Sequence, residues 1–302
     1  MIKEDLLNIV QTDIDKIFSS AFDYAPTTDV PSIYDPKFTY ADGDEQKGKE
    51  IETCVLFVDI RDSIKINSTR YQHTKGRMYT SFVRGVLRAA KLHQGKVRNI
   101  IGDRVMVVFP TENCFKNAVD CAVSINHIAS QIIRPKLNEF RVGIGIDYGK
   151  MKVYKVGLPL PEGENIENKN FVWIGEPANF ASRLTDMANK QKSSKFTLLK
   201  HFRMPFLNIS GNYTTEDEEV LDAEQLAERL PNLPNEGVCN INVEKQVADS
   251  YEAILITEDV LRGLQKQDPN RNSLKKNLWT KADGDFRGVT KAVYQASLIW
   301  IV

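Results

Sequence analysis

Between residues 53 and 149 the spacing of apolar side chains switches repeatedly between the period of a strand and that of a helix, and this alternation constrains the fold more than any other feature. TCVLFVD at 53–59 is an apolar run of strand length. Met78, Phe82, Val86 and Ala90 then recur at intervals of four, on one face of a helix. After Gly95, residues 97–101 and 105–109 are two β-rich runs separated only by Gly102, Asp103 and Arg104, which makes a hairpin with a tight tip. Phe115, Val119, Ala122, Ile125, Ala129 and Ile132 mark a second amphipathic helix, and FRVGIGIDYG at 140–149 is a further strand region ending in a turn. The order βαββαβ predicts an α+β, ferredoxin-like sandwich with helices on one face of a mostly antiparallel sheet. Such a fold hosts many chemistries, so activity has to be argued from the site.

The flanks are less regular. In residues 1–22, Leu7, Val10, Ile14, Ile17 and Phe18 predict a one-faced helix that docks on something, and 24–49, with Pro26, Pro31 and Pro36, reads as an extended linker. That division gives an N-terminal helix and linker at 1–49 and a second domain at 50–302. A polar insert at 159–169 precedes a short run at 171–174. Ala178, Ala181, Leu184 and Met187 then line a third helix, with Pro177 in its first turn. Residues 202–250 are acidic and weakly periodic and read as an elaboration, while Val293, Tyr294, Ala296, Leu298, Trp300 and Val302 predict closing strands.

Forty basic residues balance forty acidic ones, so no overall field attracts nucleic acid or an anionic membrane, and neither is expected as a partner. Cys54, Cys114, Cys121 and Cys239 form no CxxC pair, which argues against zinc. The first residues lack a basic leader, and no later run approaches a membrane-spanning length, so a cytosolic protein is expected.

Two acids stand out. Asp59 ends an apolar strand and Asp103 sits in the hairpin turn; if their strands are neighbours, both meet at one edge, where two oxygen ligands can hold Mg²⁺ or Mn²⁺. Asp beside Gly102 is equally the composition of an ordinary turn, and Asp59 could be a helix-capping acid, so spacing alone leaves both readings open.

FVDIRDS at 57–63, GKVRNIIGDRVMVVF at 95–109, FRVGIGIDYG at 140–149 and WIGEPANFASRL at 173–184 resemble, in order, the successive signatures of class III adenylyl and guanylyl cyclase domains. The resemblance implies that Asp59 and Asp103, helped by the backbone carbonyl of Ile60, hold two divalent cations, Mn²⁺ or Mg²⁺. It implies that Asn179 orients the ribose and Arg183 stabilises the phosphorus transition state; as an i, i+4 pair they share a helix face. In the family these two sets meet across a dimer, so a homodimer with shared sites is implied.

At the positions where purine cyclases read the base, this chain carries Asn99 and Val172, flanked by Arg98 and Trp173. Neither purine set is present, and a pocket lacking the required partners leaves the wrong base unpaired. In these details the sequence is similar to the pyrimidine cyclases of bacterial Pycsar anti-phage defence. The implied substrate is UTP or CTP, with a lean to UTP, and the implied receiver of the product is a separate cyclic-nucleotide-activated effector. Arg287 and Lys291 echo a family segment that holds phosphate. The competing readings are an adenylyl cyclase with an atypical base pocket, a non-catalytic nucleotide-binding cyclase-like domain, and an interaction domain on the same scaffold.

Overall fold

The computed structural model describes residues 3–32, 34, 35, 38, 45–63, 72–157, 169–190, 194–202, 214–222, 228, 231, 240–247, 251–284, 286 and 288–301. Helix α1 (Lys3–Ser19) leads into β1 (Ala21–Thr27). The predicted alternation then follows: β2 (Glu45–Ile60), α2 (Gln72–Leu92), β3 (Lys96–Ile101), β4 (Arg104–Val108), α3 (Cys114–His127) and β5 (Val142–Gly157). Strand β2 runs at the centre, antiparallel to both β4 and β5, and β3 closes the edge beyond β4. This is the expected mostly antiparallel α+β sheet.

Period-two alternation sorts the side chains of these strands onto two faces. Leu56, Val58, Val105, Val107, Ile144 and Ile146 turn to one face and are buried with Phe82 and Val86 of α2 and Val119 and Ala122 of α3. Each such Val, Leu, Ile or Phe side chain contributes about 1.5–3 kcal/mol on burial. Val55, Met106, Val108, Met151 and Val153 turn to the other face. The sequence pattern predicts helices on one face only; the structure instead seats a third helix, α4 (Glu176–Met187), on the opposite side through Ala178 and Ala181. The physical reason lies in β5. A Cβ on Gly145 would come within 2.2 Å of the Ala181 carbonyl oxygen, and one on Gly143 within 2.6 Å of that of Ala188, so the two glycines let the helix backbone touch the strand.

The sheet continues past β5 with β6 (Lys169–Ile174) paired antiparallel to its second half. On the other flank, β10 (Ile254–Thr257) lies parallel to β5, followed by α5 (Glu258–Gln267), α6 (Asn272–Lys275), β11 (Thr280–Ala282) and β12 (Val293–Ala296). The last strand stops at Ala296. Beyond it Trp300 donates from Nε1 to Ser124 Oγ at 2.9 Å, so a side-chain anchor holds the segment that the sequence pattern assigned to a strand.

Three more features depart from the sequence pattern. Residues 21–27, assigned in part to a linker, form β1, parallel to residues 45–51 of β2, and β2 runs through residue 50 unbroken. No residue of α1 is buried; Leu7 and Phe18 are 60% and 87% exposed. Residues 190–250 make a separate compact unit containing a three-stranded antiparallel sheet, with β7 (Ser194–Phe202) between β8 (Thr214–Asp222) and β9 (Asn240–Val247). Among the described residues, no helix is long and apolar enough to cross a membrane.

Candidate active site

Asp59 is the penultimate residue of β2 and shares the α4 side of the sheet with Val55 and Phe57. The pairing of β2 with β4 puts Val58 opposite Val105, which makes Arg104 the lateral neighbour of Asp59. Asp103 precedes Arg104 in the turn, whose Gly102 takes φ +60°, the left-handed region glycine tolerates. Two sequence-distant acids thus arrive at one sheet edge. Oδ2 of Asp59 accepts a hydrogen bond from Arg104 Nη2 at 2.8 Å, whereas Oδ1 is buried and has no partner. Burial raises the Asp59 carboxyl above its ordinary pKa; the Arg104 hydrogen bond pulls it back, and the neighbouring Asp103 charge pushes it up again. Ile60 completes the strand with its side chain in the opposite core, so only its backbone faces this edge.

Helix α4 is tied to that edge by its last turn. Arg61, buried beneath it, donates to the carbonyls of Thr185 and, at 3.2 Å, Asp186, capping the negative end of the helix. Thr185 Oγ1 donates to the Phe57 carbonyl at 3.0 Å. Arg104 reaches across with Nη1 to Ser182 Oγ at 2.9 Å and with Nη2 to Asp186. Asn179 is exposed one turn before half-buried Arg183, whose guanidinium lies against Gly288. No described hydrogen bond or ion pair joins Asn179 or Arg183 to Asp59 or Asp103; Ser182 and Asp186 of the helix are linked to Asp59 through Arg104.

On the neighbouring edge, Asn99 pairs with Met106, and the register slips between Val97 and Asn99, so Arg98 is bulged. Arg98 donates from Nη1 to the Val97 carbonyl at 3.1 Å, its Nε is buried without a hydrogen-bond partner, and burial lowers its pKa. Trp173 packs beside Phe171 and leaves its Nε1 buried and unpaired. Val172, expected to line the same pocket, lies between these two rings in β6 and is 39% exposed; strand alternation sends it to the other face. The ammonium of Lys291 pairs with Asp147 at 3.0 Å and with Asp259 at 3.0 Å, and so is already committed to carboxylates. Arg287 lies outside the described residues.

No family model matches the chain. A uridylate cyclase of Burkholderia cepacia is 26% identical over 185 residues, a stretch covering 59% of this chain and 76% of that protein. A second uridylate cyclase, from Gulbenkiania mobilis, is 26% identical over 195 residues, covering 60% and 71%. Among solved structures, a bacterial light-regulated adenylyl cyclase superposes with a TM-score of 0.50 at 15% identity; the match covers 82% of this chain and spans about half, 53%, of that one. The chain has the class III nucleotide cyclase fold.

Within that fold the acid edge fits a divalent cation. A buried carboxylate oxygen without a donor, beside a second carboxylate and with Arg104 on its other oxygen alone, is an acceptor that a cation can satisfy. Among the described residues no group of three or more His, Cys, Asp or Glu side chains gathers, so two carboxylates are the acidic donor set. That leaves coordination positions for phosphate oxygens and water, the habit of Mg²⁺ and Mn²⁺ in nucleotide sites. Sequence reasoning missed Arg61, Arg104, Ser182 and Asp186. The one available signal was Arg104 itself, a charge opening an otherwise apolar strand.

Proposed function

We propose that this chain is a pyrimidine nucleotide cyclase that closes UTP or CTP into the 3′,5′-cyclic monophosphate and releases pyrophosphate. The observation that carries the reading is the unpaired, buried Oδ1 of Asp59 next to Asp103. Two divalent cations held there, with the Ile60 backbone, would acidify the ribose 3′-hydroxyl and neutralise the triphosphate. Asn179 holds the ribose so that the 3′-oxygen is in line with the α-phosphorus, and Arg183 meets the charge that grows on the phosphoryl oxygens. Among the described residues no hydrogen bond or ion pair ties these two side chains to the acids of their own chain, and the reading assigns them to the site of a second copy, giving a head-to-tail homodimer with two shared sites.

The base assignment is supported by the similarity to proteins named uridylate cyclase and by Arg98, a half-buried donor beside Asn99 that has no acidic partner among the described residues. A guanidinium donates and never accepts, which suits the pyrimidine O2 and, in uracil, O4. Uridine is therefore favoured over cytidine. In the defence role that the resemblance implies, the cyclic product would pass to a separate effector.

The test is an equimolar mixture of UTP, CTP, ATP and GTP incubated with purified protein and Mn²⁺, with cyclic products separated by mass. Cyclic UMP should dominate, with cyclic CMP second. A majority of cyclic AMP would reject the pyrimidine assignment, and no cyclic product from any triphosphate would reject the cyclase.

A further inference from the structure

Arg104 places a cation where the proposed reaction wants a metal. Its Nη2 is shared between Asp59 Oδ2, at 2.8 Å, and Asp186, while Nη1 donates to Ser182 Oγ at 2.9 Å. The placement follows from the chain: Arg104 opens β4 directly after Asp103, on the same side of the sheet as Asp59, and Asp186 and Ser182 lie one turn apart on the α4 stripe above it. An acid in the last turn of a helix sits at the negative end of the dipole, an unfavourable position that needs a nearby cation. Asp186 has Arg104 as its ion-pair partner.

We propose that Arg104 is a resident counter-cation of Asp59: it surrenders that carboxylate when a divalent cation arrives, falls back on Asp186 and Ser182, and so sets the metal affinity of the site. The proposal rests on the cyclase reading of Asp59 and Asp103. Two positive charges then compete for one carboxylate. Stripping a half-buried guanidinium of every partner would be costly, because an unpaired charge cannot recover its hydration. The second acid and the serine remove that cost, since after the handover Arg104 still has a carboxylate on one nitrogen and a hydroxyl on the other. Asp186 therefore lowers the barrier to metal loading although it does not touch the metal.

The two residues make opposite predictions, which separates a handover from a brace that simply positions Asp59. Metal-free, nucleotide-free protein is titrated with Mn²⁺ by calorimetry, with thermal melting in parallel. Arg104→Met should bind Mn²⁺ about tenfold more tightly than wild type, a difference of about 1.4 kcal/mol, and its melting temperature should rise more on adding Mn²⁺. Asp186→Asn should bind several-fold more weakly, because Arg104 is left with Asp59 as its remaining carboxylate in this cluster. Mn²⁺ affinity in Arg104→Met that is equal to or weaker than wild type overturns the handover, as does an unchanged affinity in Asp186→Asn. If Arg104→Met fails to fold, Arg104→Lys decides: its single ammonium cannot span the three acceptors as a fork, so tighter binding supports the proposal and unchanged or weaker binding overturns it. Asp59→Ala is titrated alongside. Undiminished Mn²⁺ binding there overturns the metal reading of the site, whereas lost binding there, with no gain in the Arg104 variants, overturns the handover alone.

Discussion

The half-buried carboxylate of Asp59 and the fully buried one of Asp147 lie on adjacent strands, both on the α4 side of the sheet, and desolvation is the first cause that raises each above its ordinary pKa. They are resolved in opposite ways. Asp147 accepts from Thr257 Oγ1 at 2.6 Å and binds Lys291 through both oxygens, at 3.0 and 3.1 Å. The same ammonium donates to the Tyr148 carbonyl at 3.1 Å and lies 5.5 Å from the Phe180 ring of α4. That cluster is closed and ties the C-terminal segment to the sheet. Asp59 keeps one oxygen satisfied by an arginine that has other partners, and the second oxygen has no hydrogen-bond donor among the described residues. Burial alone therefore does not separate the two acids; on the proposed reading what sets Asp59 apart is an acceptor oxygen left without a donor among the described residues.

The contrast can be broken most sharply by deleting each acid. Asp59→Ala should reduce cyclase turnover by on the order of 10³-fold or more, while the melting temperature holds or rises, because an incompletely paired buried charge is removed. Asp147→Ala should do the reverse, costing about 2 kcal/mol of stability, because buried Thr257 Oγ1 loses its acceptor and Lys291 keeps only Asp259 and the Tyr148 carbonyl among its described partners. Chemical denaturation of both variants decides the matter, and equal losses of stability would erase the distinction.

A second test asks whether the open site is completed by another chain. Asp59→Ala and Arg183→Ala should each be inactive, yet an equal mixture refolded together should recover about a quarter of wild-type activity, since half the dimers are mixed and each mixed dimer keeps one intact site. A mixture as inactive as its components would place Asn179 and Arg183 in the same site as the acids of their own chain.

The smallest effect concerns a third partly buried group that, like Asp147, is satisfied. The His93 ring bonds Ser124 Oγ at 2.8 Å and stacks near Trp300, and burial lowers its pKa while Asp120 partly offsets this. A histidine with a lowered folded pKa keeps its full stabilisation above the ordinary value of about 6.5 and loses it as pH falls through the lowered value. Melting curves from pH 7 to 5 should therefore fall less steeply for His93→Gln than for wild type. Parallel slopes would show that His93 takes no part in the acid loss.

Where the apolar period was strong, the sequence alone reached the answer. Met78, Phe82, Val86 and Ala90 form the buried face of α2, and 97–109 is the hairpin, because local repetition of burial is written at fixed spacing. The failures came where position was set by distant partners. Residues 21–27 look like linker because a strand added to a sheet edge needs little apolar pattern of its own. Ile254–Thr257 carries no legible strand signal because four residues span too little of the period. Val172 and Trp173 are adjacent in sequence, and the pleat of β6 turns them to opposite faces.

The sequence by itself determined that an acid would end one strand, that another would tip a hairpin, and that Asn179 and Arg183 would share a helix face, since each follows from local period and turn chemistry. Only the tertiary structure decided that α4 would lie on the sheet face opposite the other two core helices, that Arg104 would stand between Asp59 and Asp186, and that one oxygen of Asp59 would be left without a donor. Satisfaction of a buried charge is a sum over every neighbour, and neighbours separated by a hundred residues are brought together by packing that no local pattern encodes.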